Sequence, residues 1–143
     1  MAANLTKKQR GLVNSHRIAR MATVDESGNP LVLPVCFAYD GQFIYSPIDN
    51  KPKTVSAKKL KRVRNIANNS NISLVIDNYV ENWSLLYYLI IQGTAEIICE
   101  GQEYQNALTI LAEKYYQYVE MGLESLGAPV IKITPKKIIS WGD

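Results

Sequence analysis

The stretch LLYYLIIQGTAEIICE, from Leu85 to Glu100, limits this chain more than any other part of it. Its β-branched and aromatic residues favour a pleated strand, and apolar side chains fall at odd and even positions alike, so both faces need cover. The apolar run Leu85–Ile91 is too short to cross a bilayer. Gly93 falls where such a strand would bulge or bend. A chain of 143 residues has room for one core and little interior to spare. The strand is therefore expected to be covered by other elements or to face a second copy of the chain.

The flanking segments show what else is available. RMATV and PLVLPVCFAY flank a turn at Ser27-Gly28-Asn29-Pro30, and AYDGQFIYS carries Asp40-Gly41, a two-residue hairpin signal, so three strands form a β-meander. Ahead of them Leu5, Leu12 and Val13 suit a short helix. From Thr54 to Ala67 the period becomes helical, with Leu60, Val63 and Ala67 on one face and Lys59, Lys61, Arg62 and Arg64 over the rest. Pro52 precedes this helix and Asn68-Asn69-Ser70-Asn71 stops it. ISLVID alternates Ile72, Leu74 and Ile76 to one side of a strand. A second helix over roughly Tyr104–Tyr118 aligns Leu108, Leu111, Ala112 and Tyr115. APVIKITPKKIISWGD closes the chain as a strand pair or one bent strand. Strands that outnumber helices without βαβ alternation predict a mainly β, α+β fold, one domain over residues 1–143, built as a small antiparallel barrel with helices in the connections.

Charge adds a functional question. Lys51–Arg64 holds seven of the sixteen Lys and Arg and no acidic residue, while elsewhere acidic residues outnumber basic ones. A local cluster suits one anionic group or a solvated helix better than a broad nucleic-acid face. At Lys51 and Lys53 a loop feeding a helix would add free backbone N–H groups and the positive end of the dipole for a phosphate, and the other reading is a solvated face. Lys58, Lys59 and Lys61 read as a solvated helix face. Cys36 and Cys99 have no metal-ligand spacing and are expected to be small buried apolar residues. No metal site is expected. His16, the lone histidine, reads as exposed. Asp25, Asp40 and Asp77 read as turn residues, and the pairs Tyr87-Tyr88 and Tyr115-Tyr116 as core or dimer packing. The N-terminus lacks a secretory pattern, and a cytoplasmic protein without membrane association is expected.

The ordered set MATVDESGNPLVLPVCFAYDGQFIYSPIDNKPK, LKRVRNIANNSNISLVID and NWSLLYYLIIQGTAEII, returning at VIKITPKKIISW, resembles the flavin-binding split-barrel family related to pyridoxamine 5'-phosphate oxidase. It is most similar to the small members described as deazaflavin- or flavin-dependent oxidoreductases. The resemblance implies a six-stranded antiparallel split β-barrel, a homodimer, and a cofactor at the subunit interface: FMN, or alternatively an 8-hydroxy-5-deazaflavin coenzyme. It places Val35, Cys36 and Phe37 along the ring, Ser46 and Pro47 at the end of the next strand, and Lys51, Lys53 and Arg62 toward the phosphate. Trp83 and Trp141 are the aromatic candidates for covering the ring.

Two departures from the family bear on the reaction. Pyridoxamine phosphate oxidases carry Arg and Lys on the strand that here reads Pro34-Val35-Cys36-Phe37-Ala38, and the basic segment that handles their substrate has no counterpart at SWGD. There is no nucleophile with its base, no P-loop and no dinucleotide fingerprint, so catalytic residues are unassigned and a cofactor would perform the hydride chemistry. The expectation is an oxidoreductase acting on a small molecule of unknown identity. A non-catalytic flavin carrier or sensor is the first alternative. A basic nucleic-acid module comes last, because no aromatic residues interleave the helix charges.

Overall fold

A computed structural model describes residues 2–48 and 60–142. Among them seven strands form one antiparallel sheet: β1 (Ala19–Val24), β2 (Pro30–Val35), β3 (Ala38–Tyr39), β4 (Ile44–Pro47), β5 (Asn71–Asn78), β6 (Tyr87–Ile98) and β7 (Val130–Gly142). The spatial order is β2-β1-β5-β6-β7-β4-β3. Six strands were expected, and the seventh arises because PLVLPVCFAY does not run straight through. It stops at Val35 and resumes at Ala38; β2 pairs with β1 at one edge of the sheet and β3 with β4 at the other. One bent segment thus reaches from edge to edge, and the sheet curls into a split barrel.

Inward positions fill the barrel. Met21, Phe37, Ile44, Leu74, Ile76, Leu89, Ile91, Ile131 and Ile133 are almost wholly buried in one cluster, to which helix α1 (Lys7–Ser15) adds Val13. Each such side chain contributes about 1.5–3 kcal/mol of burial. Thr6 caps α1 through a reciprocal capping box with Gln9. A second cluster lies on the other side of β3 and β4, where Ala38 and Tyr45 meet Tyr104, Leu108 and Leu111 of α3 (Gln102–Lys114) and Tyr118 of α4 (Tyr116–Met121). That is why β4 is buried on both faces.

The break between β2 and β3 is held by side chains. The Phe37 N–H donates to the Tyr115 hydroxyl at 3.0 Å, and that hydroxyl lies 2.8 Å from both the Phe37 and the Arg17 carbonyl oxygens, which share its single proton. The Ser46 hydroxyl donates to the Cys36 carbonyl at 2.7 Å. Tyr115 itself is extended (φ −124°, ψ 104°), so the single helix expected over Tyr104–Tyr118 is two helices separated at this residue. The expected stripe is also shifted: Tyr104, Ala107, Leu108 and Leu111 are buried, and Ala112 is only partly covered.

The basic helix appears as α2 (Lys61–Asn68); the first part of the expected Thr54–Ala67 span lies outside the described residues. Its covered face also differs. Ile66 is buried with Asn65, whose amide donates to the Thr23 hydroxyl at 3.0 Å, Leu60 and Val63 pack against the core, and Ala67 is exposed. Lys61 pairs with Asp25 at 3.4 Å. Asp25 accepts the N–H groups of Ser27 and Asn29, and Asp40 those of Gln42 and Phe43, as turn carboxylates do. The hairpin is one residue later than Asp40-Gly41 suggests, since the Asp40 N–H bonds the Phe43 carbonyl and Gly41-Gln42 form the bend. Asp77, by contrast, stays within β5 and faces Arg20 at 3.4 Å.

The closing segment is one thirteen-residue strand, β7, paired along nearly all of β6. Gln92 opposes Lys137 and Gly93 opposes Pro135, so the extra residue is Lys136 on the partner strand, opposite the glycine. A Cβ at Gly93 would stand 2.0 Å from the Thr134 carbonyl oxygen. Gly93→Ala is therefore expected to cost about 2 kcal/mol or more, because the obstacle is backbone; a urea midpoint equal to wild type would contradict this close approach. Tyr115→Phe should cost about 1–3 kcal/mol by leaving the Phe37 N–H unpaired. The check is a lowered denaturation midpoint with an unchanged m-value.

Candidate functional site

Two places gather the candidate residues. The first is a cavity of about 390 Å³ where α3 and α4 meet the break between β2 and β3, lined by Arg17, Cys36, Lys114, Tyr115, Tyr116 and Met121 among others. Lys114 is the last residue of α3, and its ammonium lies 3.8 Å from the centre of the Phe37 ring and 3.5 Å from the Val13 carbonyl. The Arg17 guanidinium sits 5.4 Å from the Tyr115 ring centre and donates to the Lys114 carbonyl. Burial, reinforced by the Arg17 charge, lowers the Lys114 amine to about 8. Burial raises the Tyr115 hydroxyl to about 12, so it stays neutral.

The second place is the outer face of the sheet. On β5, β6 and β7 the residues between the buried ones point outward, and the register aligns Asp77, Tyr88 and Trp141 in one row and Val75, Ile90 and Ile139 in the next. Tyr88 and Trp141 stack, with ring centres 5.7 Å apart and planes 20° from parallel. Trp141 is 53% exposed and Trp83, in a 3-10 turn at Trp83–Leu85, is 69% exposed. The Trp83 indole donates to the Tyr79 hydroxyl at 3.3 Å. Leu85 and Val32 add to the exposed apolar surface of this chain.

Against these places the sequence-derived candidates divide. Cys36 lines the cavity. Val35, Phe37, Ser46 and Pro47 are buried and so do not lie open along a ring; Phe37 meets the Lys114 ammonium, and the Ser46 hydroxyl is spent on the Cys36 carbonyl. Val35, Cys36 and Phe37 also do not share one strand, since β2 ends at Val35. Arg62 is half-buried on α2. Lys51 and Lys53 lie outside the described residues. Trp141 stands on the outer face, and its stacking partner Tyr88 was missed although the Tyr87-Tyr88 pair stood out. Arg17, Lys114 and Tyr115 were missed as site residues because only the fold brings them to Cys36.

Two expectations need correction. Cys36 packs against the edge of the second cluster and is only partly covered, and Cys99 is exposed. Tyr115 is buried in the core, and Tyr116, at the start of α4, is 69% exposed in the single chain. His16 is half-buried at the end of α1, where the 2.8 Å contact to the Leu12 carbonyl assigns the proton to Nδ1, leaving Nε2 to accept from the Tyr87 hydroxyl at 3.1 Å. Among the described residues no group of three His, Cys, Asp or Glu could hold a metal ion, and no helix is long and apolar enough to cross a membrane.

The same architecture occurs in solved structures. A conserved hypothetical protein, Rv2991 from Mycobacterium tuberculosis, superimposes with a TM-score of 0.78 at 18% identity, covering 99% of this chain and 86% of its own. HutZ, the heme storage protein from Vibrio cholerae, gives 0.75 at 14% identity over 96% of this chain and 94% of HutZ. A candidate pyridoxamine 5'-phosphate oxidase from Listeria innocua gives 0.70 at 20% identity over 95% and 97%. At these identities the likeness shows the shared fold. None of the curated proteins matches the chain by sequence. The family model described as pyridoxamine 5'-phosphate oxidase matches residues 5–142, and the chain belongs to that family.

Proposed function

We propose that this protein is a homodimeric flavin-binding oxidoreductase that uses FMN, or alternatively an 8-hydroxy-5-deazaflavin coenzyme, on a small-molecule substrate. The observation that favours this reading most is the stacked Tyr88–Trp141 pair, which offers a flat aromatic surface on an outward sheet face within a family related to flavin enzymes. The flavin would supply the hydride chemistry, and the chain would bind and orient it. Lys51 and Lys53 are assigned to the phosphate, with Arg62 as a further cation. Pyridoxamine 5'-phosphate oxidation itself is not proposed, because Pro34–Ala38 carries no charged side chain.

Haem is the second reading, because one of the similar folds belongs to a heme storage protein. The lone histidine argues against histidine ligation, since both His16 ring nitrogens already have partners and the iron would have to displace the Tyr87 hydroxyl from Nε2. The two readings separate by titration. FMN is expected to bind at micromolar or tighter affinity, and Lys51→Ala with Lys53→Ala should weaken it by about 2–4 kcal/mol while riboflavin, which lacks the phosphate, changes little. Equal losses for both ligands would remove the lysines from phosphate recognition. Absence of any FMN quenching, together with a saturable hemin absorption band, would select the haem reading.

The dimer is proposed on the same outer face, where Val75, Ile90, Ile139 and Trp141 form an apolar surface that a second copy would cover. A stable interface of this kind would bury more than about 2,000 Å² in total. Sedimentation at micromolar concentration should give the mass of two chains, and Ile139→Asp should shift it toward one. A wild-type monomer at that concentration would refute the dimer.

A further inference from the structure

Among the described residues, the cavity beside the strand break is lined by two cationic side chains, Arg17 and Lys114, and by no carboxylate. Lys114 is fixed there by its position. Its carbonyl is bound by Arg17, the Tyr115 that follows is anchored to Phe37, and its ammonium rests against the Phe37 ring with, among the described residues, the Val13 carbonyl as a distant acceptor. From these contacts we infer that Lys114 is a nucleophilic amine that condenses with a small carbonyl compound bearing a carboxylate, such as an aldehydic or 2-oxo acid, with Arg17 facing the anion. This assignment does not rest on flavin binding.

The chemistry requires the free amine. The Lys114 nitrogen lone pair adds to the carbonyl carbon, and loss of water, made from the carbonyl oxygen and the two amine protons, leaves an imine. With its amine lowered to about 8, close to a quarter of Lys114 is unprotonated at pH 7.5, against about 0.1% of an ordinary lysine. Burial does most of this; of the charged groups nearby, Arg17 disfavours a second cation and a Cys36 thiolate would favour one, while the Tyr115 hydroxyl is neutral across this range. A bound carboxylate would offset the repulsion from Arg17, and about 390 Å³ is ample for a molecule of a few heavy atoms.

Reductive trapping tests the inference on the full-length chain as purified. Glyoxylate and acetaldehyde are added separately at pH 7.5 with sodium cyanoborohydride, which delivers hydride to the imine carbon while water protonates the nitrogen. Peptide mass spectrometry then locates carboxymethyl-lysine or ethyl-lysine. Lys114 is expected to react at least about tenfold faster than the ten other lysines, with its rate half-maximal near pH 8, and glyoxylate should exceed acetaldehyde at this position alone. Labelling spread over the exposed lysines would overturn the proposal, and so would equal rates for the two aldehydes at Lys114. Arg17→Gln should abolish the glyoxylate preference, and FMN titration of the wild-type chain reads the flavin assignment separately, so failure here is distinct from failure of that assignment.

Discussion

The architecture depends on how the chain leaves the β-ladder at Cys36-Phe37. A strand that crosses from one sheet edge to the other must turn, and the peptide groups that turn with it lose their ladder partners in a buried place. The Tyr115 hydroxyl takes over for Phe37 and the Ser46 hydroxyl for Cys36. Because Tyr115 also contacts the Arg17 carbonyl, one phenol ties together the start of β1, the barrel-closing bend and the break between α3 and α4. The cavity at this junction follows from that tie. Lys114 and Tyr116 flank the anchored residue, so neither is placed independently of it.

The electrostatics on the two ends of α3 differ for the same geometric reason. Near its start, Glu103 receives the Lys132 ammonium at 2.8 Å and the Tyr45 hydroxyl at 2.9 Å, and the lysine's hydrogen bond holds its carboxyl below the usual range. Lys132 also lies 4.1 Å from the Phe43 ring centre, so cation, ring and carboxylate are all present. At the far end Lys114 has the rings of Phe37 and Tyr115 but meets Arg17 instead of a carboxylate. An aromatic face is worth about 0.5–2 kcal/mol to a cation, too little to offset burial and a like charge together. One lysine is therefore structural, and the other keeps a reactive amine.

Strand periodicity was readable from sequence wherever one face meets the core: Ile72, Leu74 and Ile76 are buried as their alternation requires, and Gly93 marks the bulge. The interruptions were not readable. Nothing local distinguishes Cys36-Phe37 from the strand on either side, because the partner that stabilises the break comes from Tyr115, seventy-eight residues away from Phe37. The same contact divides a helical pattern that is continuous in apolar spacing. Ala67 misled for a related reason: small residues carry little preference, and the buried hydrogen bond from Asn65 to Thr23 sets which face of α2 turns inward. Of the sequence-derived candidates, Cys36 lines the cavity and Trp141 stands on the outer face. Arg17 and Lys114 look like ordinary surface cations until the fold brings them to Cys36.

That convergence bears on the departure from the family at Pro34–Ala38. The Arg and Lys of the related oxidases belong to the strand itself, where here the side chains are Pro, Val, Cys, Phe and Ala. In this chain an ammonium reaches the same segment from the opposite direction, because the end of α3 lays Lys114 on the Phe37 ring and Arg17 lines the adjoining cavity. A cation on a strand is held by two fixed neighbours and is readily solvated at a sheet surface. A cation delivered from a helix end onto an aromatic ring is partly desolvated, and that is what lowers the Lys114 amine to about 8. Positive charge that reaches this segment from the helix therefore carries a second chemistry: Lys114 can lose its proton and attack as an amine, while Arg17 keeps its charge for the anion.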